Sequence, residues 1–351
     1  ATSSAFATLS PGTYQVKETY SGDGHFVGSA GGFDQGAGLD VVKAATTMTL
    51  DSSANPSDFG APVTFTSTVA AVAPATGRPS GVVQFWEGGK LLGASNLAAA
   101  AANTSVATFV TSTLAPGPHA IRAVYVGNFN FEGQTSTTSQ DVGQATTVTG
   151  ISSTPESSTF GDDVTFTSTV TGAAGAPGSP SGSVTFREGS TVLGVASLST
   201  VDGSRQASVV VAGLHGGDHV VTATYSGDTS FSPSTSSEYV HRVDRAASTV
   251  EAEKMITVDG DGVDVKVGIV KATVTGNDGA PIAGEPVVFT TIREGDHLVL
   301  PVCQAVTDEH GVATCTSVIK EVVRVSVLEG YDATFLGNSD YLPDSDHGAQ
   351  F

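Results

Sequence analysis

The sequence has few of the residues that build helices, membrane spans or basic surfaces. Only 14% of its 351 residues are charged, and it has two cysteines, two methionines and one tryptophan. Leu, Glu, Lys, Arg and Gln, which favour regular helices, are scarce, and this argues against a helical fold. No apolar run reaches the length of about 20 residues that a membrane span needs. We therefore expect no membrane insertion in this segment.

Positive charge is scarce as well. The chain has 15 Lys and Arg against 35 Asp and Glu, so its formal net charge is -20. Binding to nucleic acid requires a basic surface that neutralises phosphates, and anionic membranes likewise attract basic segments. The composition therefore argues against both partners. We interpret the acidity as a feature that keeps a long extracellular chain soluble.

An eight-residue phrase occurs four times at intervals of about 100 residues: TYSGDGHF at 19–26, VYVGNFNF at 124–131, TYSGDTSF at 224–231 and TFLGNSDY at 334–341. Solenoid repeats are shorter, at about 20–50 residues, whereas an immunoglobulin-like sandwich takes about 100. Glycine permits a positive φ, and Asp or Asn caps a turn with its own side chain. The phrase therefore predicts the turn of a β-hairpin, with a ligand-binding loop as the alternative.

The two middle repeats alternate apolar and polar residues with period two. In FTSTV (65–69), for example, Phe65 and Val69 share one face, and Thr66 and Thr68 share the other. This pattern indicates half-buried strands. Seven such strands are predicted in the first of these repeats, at about 46–51, 63–70, 81–87, 90–97, 104–113, 118–126 and 134–143.

These motifs resemble known bacterial repeats. The pattern L-x-x-G-x-H-x-[VI]-x-A-x-Y-x-G-[DN], preceded by P-S-G-x-V-x-F, resembles the bacterial Ig-like repeats of the group-3 type over residues 46–243. The segments KATVTGNDGAPIAGEPVVFTT (271–291) and AVTDEHGVATCTS (305–317) are similar to the Ig-like repeats of invasin and intimin adhesins. The resemblance implies an all-β fold of tandem immunoglobulin-like β-sandwiches, arranged as an elongated rod, in a secreted or surface protein.

The predicted domains are a partial repeat at 1–45, Ig-like domains at 46–144 and 145–243, and an invasin-type domain at 244–351. The partial repeat holds only three predicted strands, at 3–9, 13–20 and 36–43. Glu18 takes the inward position that Ala123 and Ala223 hold in complete repeats, and a carboxylate is costly in a closed core. Either the chain was cut from a longer array, or the missing half comes from elsewhere.

Cys303 and Cys315 lie in the last domain on either side of a predicted turn at Glu309. We expect them to face each other across a hairpin and to form a disulfide. Closing a loop of this length contributes about 3 kcal/mol. A disulfide indicates an oxidising, extracytoplasmic compartment, so we expect an extracellular location.

The sequence contains few candidate functional residues and no catalytic motif. In VDGDGVDV (258–265), Asp259, Asp261 and Asp264 are candidate Ca²⁺ ligands, with a plain glycine-rich turn as the alternative. Trp86 is predicted to point outward, where it is able to stack on a sugar or a protein partner, or simply to cover a sheet face. His119 and His219 are interpreted as corner residues whose rings bond back to nearby backbone groups.

Three functions remain open from the sequence, and none is enzymatic within this chain. The first is the stalk or fibre of an adhesin, which spaces, displays or assembles head to tail as an extracellular filament. In that case the apolar face at Val16 and Tyr20 binds a second copy, with DSDHGAQF (344–351) as its partner surface. The second is an accessory region of a larger secreted enzyme. The third is a module that binds a surface glycan or protein.

Overall fold

The computed structural model describes residues 9–32, 38–254, 256–259, 266–292, 297–319 and 330–349. These residues form 31 strands and no helix, so none of them lies in a helix long and apolar enough to cross a membrane. The chain divides into two compact units. The first extends through Thr147 and includes Gly172–Pro180 and Gly227–Pro233, and the second comprises Val148–Thr171, Ser181–Ser226 and the chain from Ser234 onward.

The first unit begins with two small two-stranded sheets. Strand β2 pairs with β3, and β1 pairs with β4, all antiparallel. The front strands are β1 (Gly12–Tyr14), β2 (Lys17–Gly22), β3 (Val27–Gly32) and β4 (Leu39–Val41).

The three-strand prediction for this front segment is wrong in detail. The segment predicted as one strand at 13–20 is interrupted between β1 and β2, and β3 was not predicted. Apart from Leu9, the predicted strand at 3–9 lies outside the described residues. Glu18 is exposed, so it occupies no closed core.

The rest of the first unit is dominated by the first sandwich, whose two sheets have the orders β10-β11-β7-β5 and β6-β13-β12-β8-β9. Phe65, Val83 and Phe85 are fully buried between them. Its strands are β5 (Thr46–Ser52), β6 (Ser57–Asp58), β7 (Val63–Ala71), β8 (Val82–Glu87), β9 (Lys90–Asn96), β10 (Ala98–Ala101), β11 (Thr104–Thr111), β12 (Gly117–Tyr125) and β13 (Gln134–Gly143).

All seven predicted strands of the first sandwich are present to within two residues at each end. The period-two pattern succeeds because one face of each strand enters the core, and β7 alternates between buried and half-buried side chains along almost its whole length. Strands β6 and β10 were missed, because two and four residues are too few to show a period.

The second sandwich repeats this plan with sheet orders β14-β16-β20-β19 and β15-β23-β21-β17-β18, and β22 also pairs with β21. Its strands are β14 (Thr147–Thr154), β15 (Ser157–Thr159), β16 (Val164–Gly172), β17 (Ser183–Glu188), β18 (Thr191–Ser197), β19 (Ser199–Val201), β20 (Ser204–Val211), β21 (Gly217–Tyr225), β22 (Ser234–Thr235) and β23 (Tyr239–Asp244).

The third sandwich belongs to the second unit. In one sheet β26 pairs with β24, β25 and β29, and the other sheet has the order β28-β27-β30-β31. Its strands are β24 (Ser248–Ala252), β25 (Ile256–Asp259), β26 (Lys266–Gly276), β27 (Pro286–Ile292), β28 (Val299–Val306), β29 (Val312–Ile319), β30 (Tyr331–Phe335) and β31 (Asp344–Gly348). The all-β fold of tandem immunoglobulin-like sandwiches is thus confirmed.

Candidate functional site

All four copies of the repeated phrase form the same hairpin turn. The second residue of the phrase is aromatic, and it pairs across the turn with the residue nine positions later. Tyr125 pairs with Gln134 in this way, and the other three copies have the same pairing. The glycine of each turn has a positive φ, which is +77° at Gly127. The hairpin prediction is therefore confirmed, and glycine is required because a Cβ is strained in this conformation.

A side-chain oxygen caps each of these turns. Asn128 Oδ1 accepts hydrogen bonds from the backbone N–H groups of Asn130 and Phe131, both at 2.8 Å. The same two bonds, at 2.7–3.0 Å, are accepted by Asp23, Asp228 and Asn338. Each oxygen is engaged within its own loop, which favours the structural interpretation over a ligand-binding loop.

Three of the hairpins also bind the entry segment of their own sandwich. Ala44 donates its N–H to Asn130 O at 2.8 Å, and its carbonyl accepts from the N–H of Glu132 at 2.9 Å. Ala145 and Ala246 make the same pair of bonds with the second and third hairpins. The aromatic residue at the end of the phrase forms a β-bridge with this alanine. In the first sandwich this residue is Phe131, which is 6% exposed. The repeated phrase therefore docks the first strand of each sandwich.

The front hairpin differs from the other three in its exposure. Tyr20 is 44% exposed and Phe26 is 69% exposed, whereas the equivalent Tyr125 is 1% exposed. The turn itself is built in the same way, with Gly22 at φ +82° and the cap from Asp23. The front segment thus keeps the hairpin but lacks, among the described residues, the cover that the other hairpins have.

His119 and His219 form the predicted corners, where each ring bonds to a backbone carbonyl four residues earlier. His119 Nε2 lies 2.6 Å from Ala115 O, and His219 Nε2 lies 2.8 Å from His215 O. Tyr14 makes the equivalent bond to Ser10 O at 2.7 Å. These bonds support the structural interpretation of both histidines.

Each histidine corner also contains a glutamate that the sequence analysis missed. His119 Nδ1 lies 2.5 Å from Glu87 Oε1, and His219 Nδ1 lies 2.9 Å from Glu188 Oε1. The sequence does contain a signal for this partner, since a glutamate recurs in FWEGG and FREGS at the end of the third predicted strand of each repeat. Carboxylate and carbonyl oxygens only accept hydrogen bonds, so each ring satisfies both partners when both nitrogens carry a proton.

This geometry stabilises the charged form of His119. Burial opposes the charge, but the hydrogen bonds to Glu87 and to the Ala115 carbonyl outweigh it and raise the pKa of His119 above its usual value. The contact with Glu87 therefore favours the charged ring over a wider pH range than in an isolated histidine.

A second site that sequence reasoning missed is a buried polar residue on the last strand. In the first sandwich it is Gln140, whose Oε1 accepts from Ser52 Oγ at 2.5 Å and whose Nε2 lies 3.2 Å from Ser57 Oγ. In the second sandwich it is His241, between Ser153 and Ser158. Both side chains are 0% exposed. A polar residue in a period-two strand gives no sequence signal of this kind.

Trp86 lies where the sequence placed it. Its neighbour Phe85 is fully buried, while Trp86 is half-buried on the opposite face of β8. The guanidinium of Arg122 lies 5.9 Å from the ring centroid, and Trp86 Nε1 donates to Gln84 Oε1 at 3.3 Å. Arg122 covers part of the ring, so the ligand contact stays a prediction.

The structure contains the disulfide between Cys303 and Cys315, but the hairpin proposed to carry it is wrong. Strand β28 pairs with β27, whereas β29 pairs with β26 in the other sheet. The chain does turn at Glu309, yet the two strands separate into different sheets. The disulfide therefore joins the two sheets of the third sandwich, with the Cα atoms 6.5 Å apart.

The calcium prediction is not addressed by the structure. Asp261 and Asp264 lie outside the described residues, and only the backbone of Asp259 is described, at the end of β25. Among the residues that the structure does describe, no group of three His, Cys, Asp or Glu is placed to hold a metal ion. The calcium site stays a prediction.

Comparisons with known proteins identify the repeats. The family model of the bacterial Ig-like domain (group 3) matches residues 49–143 and 151–244, which together are more than half of the chain. The match does not extend to the invasin-type domain predicted at 244–351, and that resemblance stays a prediction. No curated protein matches the chain.

Solved structures give a weaker likeness. The Escherichia coli adhesin FdeC is 15% identical, with 88% of this chain and 98% of that one covered and a TM-score of 0.27. Three N-terminal domains of the bacteriophage RB49 outer capsid protein Hoc are 10% identical, with 87% and 98% covered and a TM-score of 0.29. Scores this low support no inference, so the assignment rests on the family match and the repeated sandwiches. The chain belongs to the bacterial Ig-like domain (group 3) family.

Proposed function

We propose that the chain is a non-catalytic structural region of a secreted or cell-surface bacterial protein, which spaces or displays other parts of that protein. The supporting observation is the use of the repeated polar residues. The caps at Asn128 and Asp228 and the corners at His119 and His219 are all engaged in bonds inside the fold. Residues that recur in this way serve the scaffold rather than a shared ligand.

The proposal includes the domain division at 1–45, 46–144, 145–243 and 244–351 and an elongated arrangement of these domains. Small-angle X-ray scattering of the intact chain tests the arrangement. A maximum dimension close to that of a single globular particle of 351 residues contradicts it. The inter-sheet disulfide supports an oxidising, extracellular compartment.

The proposal also includes head-to-tail assembly between copies. The front segment exposes apolar side chains at Val16, Tyr20, Phe26 and Val27, the last at 92%. At the other end of the chain, β31 pairs with β30, and no second strand forms backbone pairs with it among the described residues. Its contact with β24 runs through the Asp344 and Asp346 side chains, which accept hydrogen bonds from the N–H groups of Val250 and Ala252. The equivalent strands β13 and β23 are each covered by a short parallel strand, β6 or β15. An uncovered strand edge and an uncovered hairpin are surfaces that bind another chain.

Deletion of residues 1–43, which leaves Ala44 on the first hairpin, tests the assembly. The intact chain should show concentration-dependent light scattering and linear particles in electron micrographs, and the deletion variant should stay monomeric. A matched variant, Tyr20→Ser with Phe26→Ser, should weaken the association while the rest of the chain is left intact. An intact chain that is monomeric at all concentrations contradicts the assembly.

The alternative is an accessory or glycan-binding role through Trp86, which is half-buried on the outward face of its sheet. A glycan array distinguishes the two functions. The scaffold function expects no specific glycan signal. The variant Trp86→Arg copies the arginine at position 187 of the second sandwich. A glycan signal that disappears in this variant supports the binding function instead of the scaffold function. The full reading frame of the gene tests whether a catalytic domain accompanies the chain.

A further inference from the structure

His241 is a fully buried imidazole held between two serine hydroxyls. It lies on β23 in the second sandwich and is 0% exposed. Its Nδ1 is 2.9 Å from Ser153 Oγ, and its Nε2 is 2.9 Å from Ser158 Oγ. The Phe166 ring packs against it in a T-shaped arrangement, with the ring centroids 5.7 Å apart. The family match and the scaffold function give this residue no role.

The hydrogen bonds fit a neutral ring. The Ser153 hydroxyl donates to the carbonyl of Pro155 at 2.9 Å, so its oxygen accepts from Nδ1–H of His241. In the neutral ring Nε2 carries no proton and accepts a hydrogen bond from the Ser158 hydroxyl. A proton added to Nε2 turns this acceptor into a donor and places a charge inside an apolar core.

The neighbours of His241 provide little compensation for such a charge. From β21 it faces His219, whose own partner is Glu188, and from its own strand it faces the Tyr239 hydroxyl. The β14–β15 connection contributes the backbone carbonyl of Glu156, and the strands on either side contribute the two serines. Burial first, and then the charge of His219, lower the pKa of His241, and the Glu156 carbonyl opposes them only in part.

The two serines lie on either side of a crossover between sheets. Ser153 is on β14, which belongs to one sheet, and Ser158 is on β15, which pairs with β23 in the other. Strand β15 has only three residues, so few backbone bonds hold it. The imidazole joins both ends of this crossover to β23, and its loss uncovers the edge of β23.

We propose that His241 is an acid-sensitive latch: protonation of its ring releases the β14–β15 crossover and exposes the edge of β23. Proton linkage makes the opening of the crossover depend on pH. The folded state holds the ring neutral, and the unfolded state binds a proton near the ordinary histidine pKa of about 6.5. The opening equilibrium therefore rises as the pH falls below that value, by up to about tenfold for each pH unit, until the folded pKa is reached.

The first sandwich provides a matched control within the same chain. Gln140 occupies the equivalent place on β13 and contacts Ser52 and Ser57 as His241 contacts Ser153 and Ser158. A glutamine does not titrate, so the first sandwich has no such latch. The substitution His241→Gln copies a residue that this framework already accommodates, and Gln140→His creates the reverse case.

Hydrogen exchange of the full chain, measured by mass spectrometry at about pH 7.5 and pH 5 with correction for intrinsic rates, tests the proposal. In the natural chain, protection of β14, β15 and β23 should fall at pH 5, by up to about tenfold for each pH unit below the ordinary histidine pKa. His241→Gln should abolish this fall, and Gln140→His should produce it in the first sandwich. A fall of the same size in His241→Gln, or none in the natural chain, overturns the proposal.

A second measurement covers the case in which His241→Gln is already unprotected at neutral pH. The ring resonances of His241 in the natural chain are then titrated by NMR. A folded pKa below the ordinary histidine value supports the latch, and a folded pKa at or above that value overturns it.

Discussion

The first and second sandwiches share one framework but differ where polar groups are buried. Phe85 and Phe186 occupy the same fully buried position, and the corners at His119 and His219 each bind a glutamate. The last strand, however, buries Gln140 in one sandwich and His241 in the other. Apolar core positions thus define the framework, whereas a buried polar position tolerates exchange when its partners are hydroxyl groups that both donate and accept.

The last strand also differs in its continuity. Strand β13 runs unbroken in the first sandwich, whereas in the second the same path is interrupted between β22 and β23. Ser236 bridges the interruption, because its Oγ accepts from the N–H of Ala223 at 3.0 Å and its own N–H donates to Ala223 O at 2.9 Å. A side-chain hydroxyl thus replaces a ladder bond, and the sandwich closes without a regular strand.

The largest effect should come from the shared core. Phe85→Ala and Phe186→Ala should each destabilise their sandwich by about 3–5 kcal/mol, through lost burial and the cavity that remains. Phe85 also stacks on Phe109, with centroids 5.4 Å apart, where the second sandwich has Val209. Phe85→Ala should therefore cost about 1 kcal/mol more. Hydrogen exchange, used to monitor denaturation of each sandwich, measures the loss of unfolding free energy in both variants. Equal losses in Phe85→Ala and Phe186→Ala contradict the contribution of stacking.

Reduction of the disulfide should act on the third sandwich alone. The free energy of unfolding of this sandwich should fall by about 3 kcal/mol, because the link constrains the unfolded chain. Scanning calorimetry with and without reductant should show one shifted transition, and the first and second sandwiches are internal controls because they contain no cysteine. The double variant Cys303→Ala with Cys315→Ala should reproduce the shift without reductant. Two free thiols in untreated protein exclude the link.

Much of the framework was predictable because the chain repeats itself. Alternation along 63–70 and its copy indicated strands, and the turn phrase indicated hairpins with both the glycine and the cap. The disulfide shows the limit. The stretch from Cys303 to Cys315 looks like a hairpin because it contains a turn, yet β28 and β29 each pair with a strand distant in sequence. Sequence alternation reports which residues face inward and not which strand is the neighbour.

The polar sites were less accessible to sequence reasoning for a related reason. Glu87 meets His119 across neighbouring strands, and His241 meets Ser153 from 88 residues away. Register between paired strands defines the first contact, and the packing of one sheet on the other defines the second. Period two alone specifies neither. The repeat does align Gln140 with His241, but only the burial of both shows that the position matters.

A smaller effect should come from the histidine corner. Glu87→Gln removes the carboxylate that pairs with His119 and should cost about 1 kcal/mol near pH 6, because the glutamate is partly exposed. The pKa of His119 is raised in the fold, so this contribution is present below the unfolded pKa and is lost as the pH rises through the folded pKa. Thermal unfolding at about pH 6 and pH 9 should show the difference at the lower pH alone. A cost that is the same at both values contradicts the ionic contribution.

The smallest effect should come from two buried hydroxyls that both sandwiches share. Ser67 and Ser168 occupy equivalent positions on β7 and β16, both are 0% exposed, and neither Oγ has a hydrogen-bond partner among the described residues. An unsatisfied buried hydroxyl opposes folding, so Ser67→Ala and Ser168→Ala should be neutral or should stabilise by up to about 1 kcal/mol. Ser57→Ala is the control, because its hydroxyl contacts Gln140 and its removal should destabilise by about 1 kcal/mol. Calorimetry of the three variants decides the point: a loss of stability in Ser67→Ala equal to that in Ser57→Ala means that the buried hydroxyl is satisfied in solution.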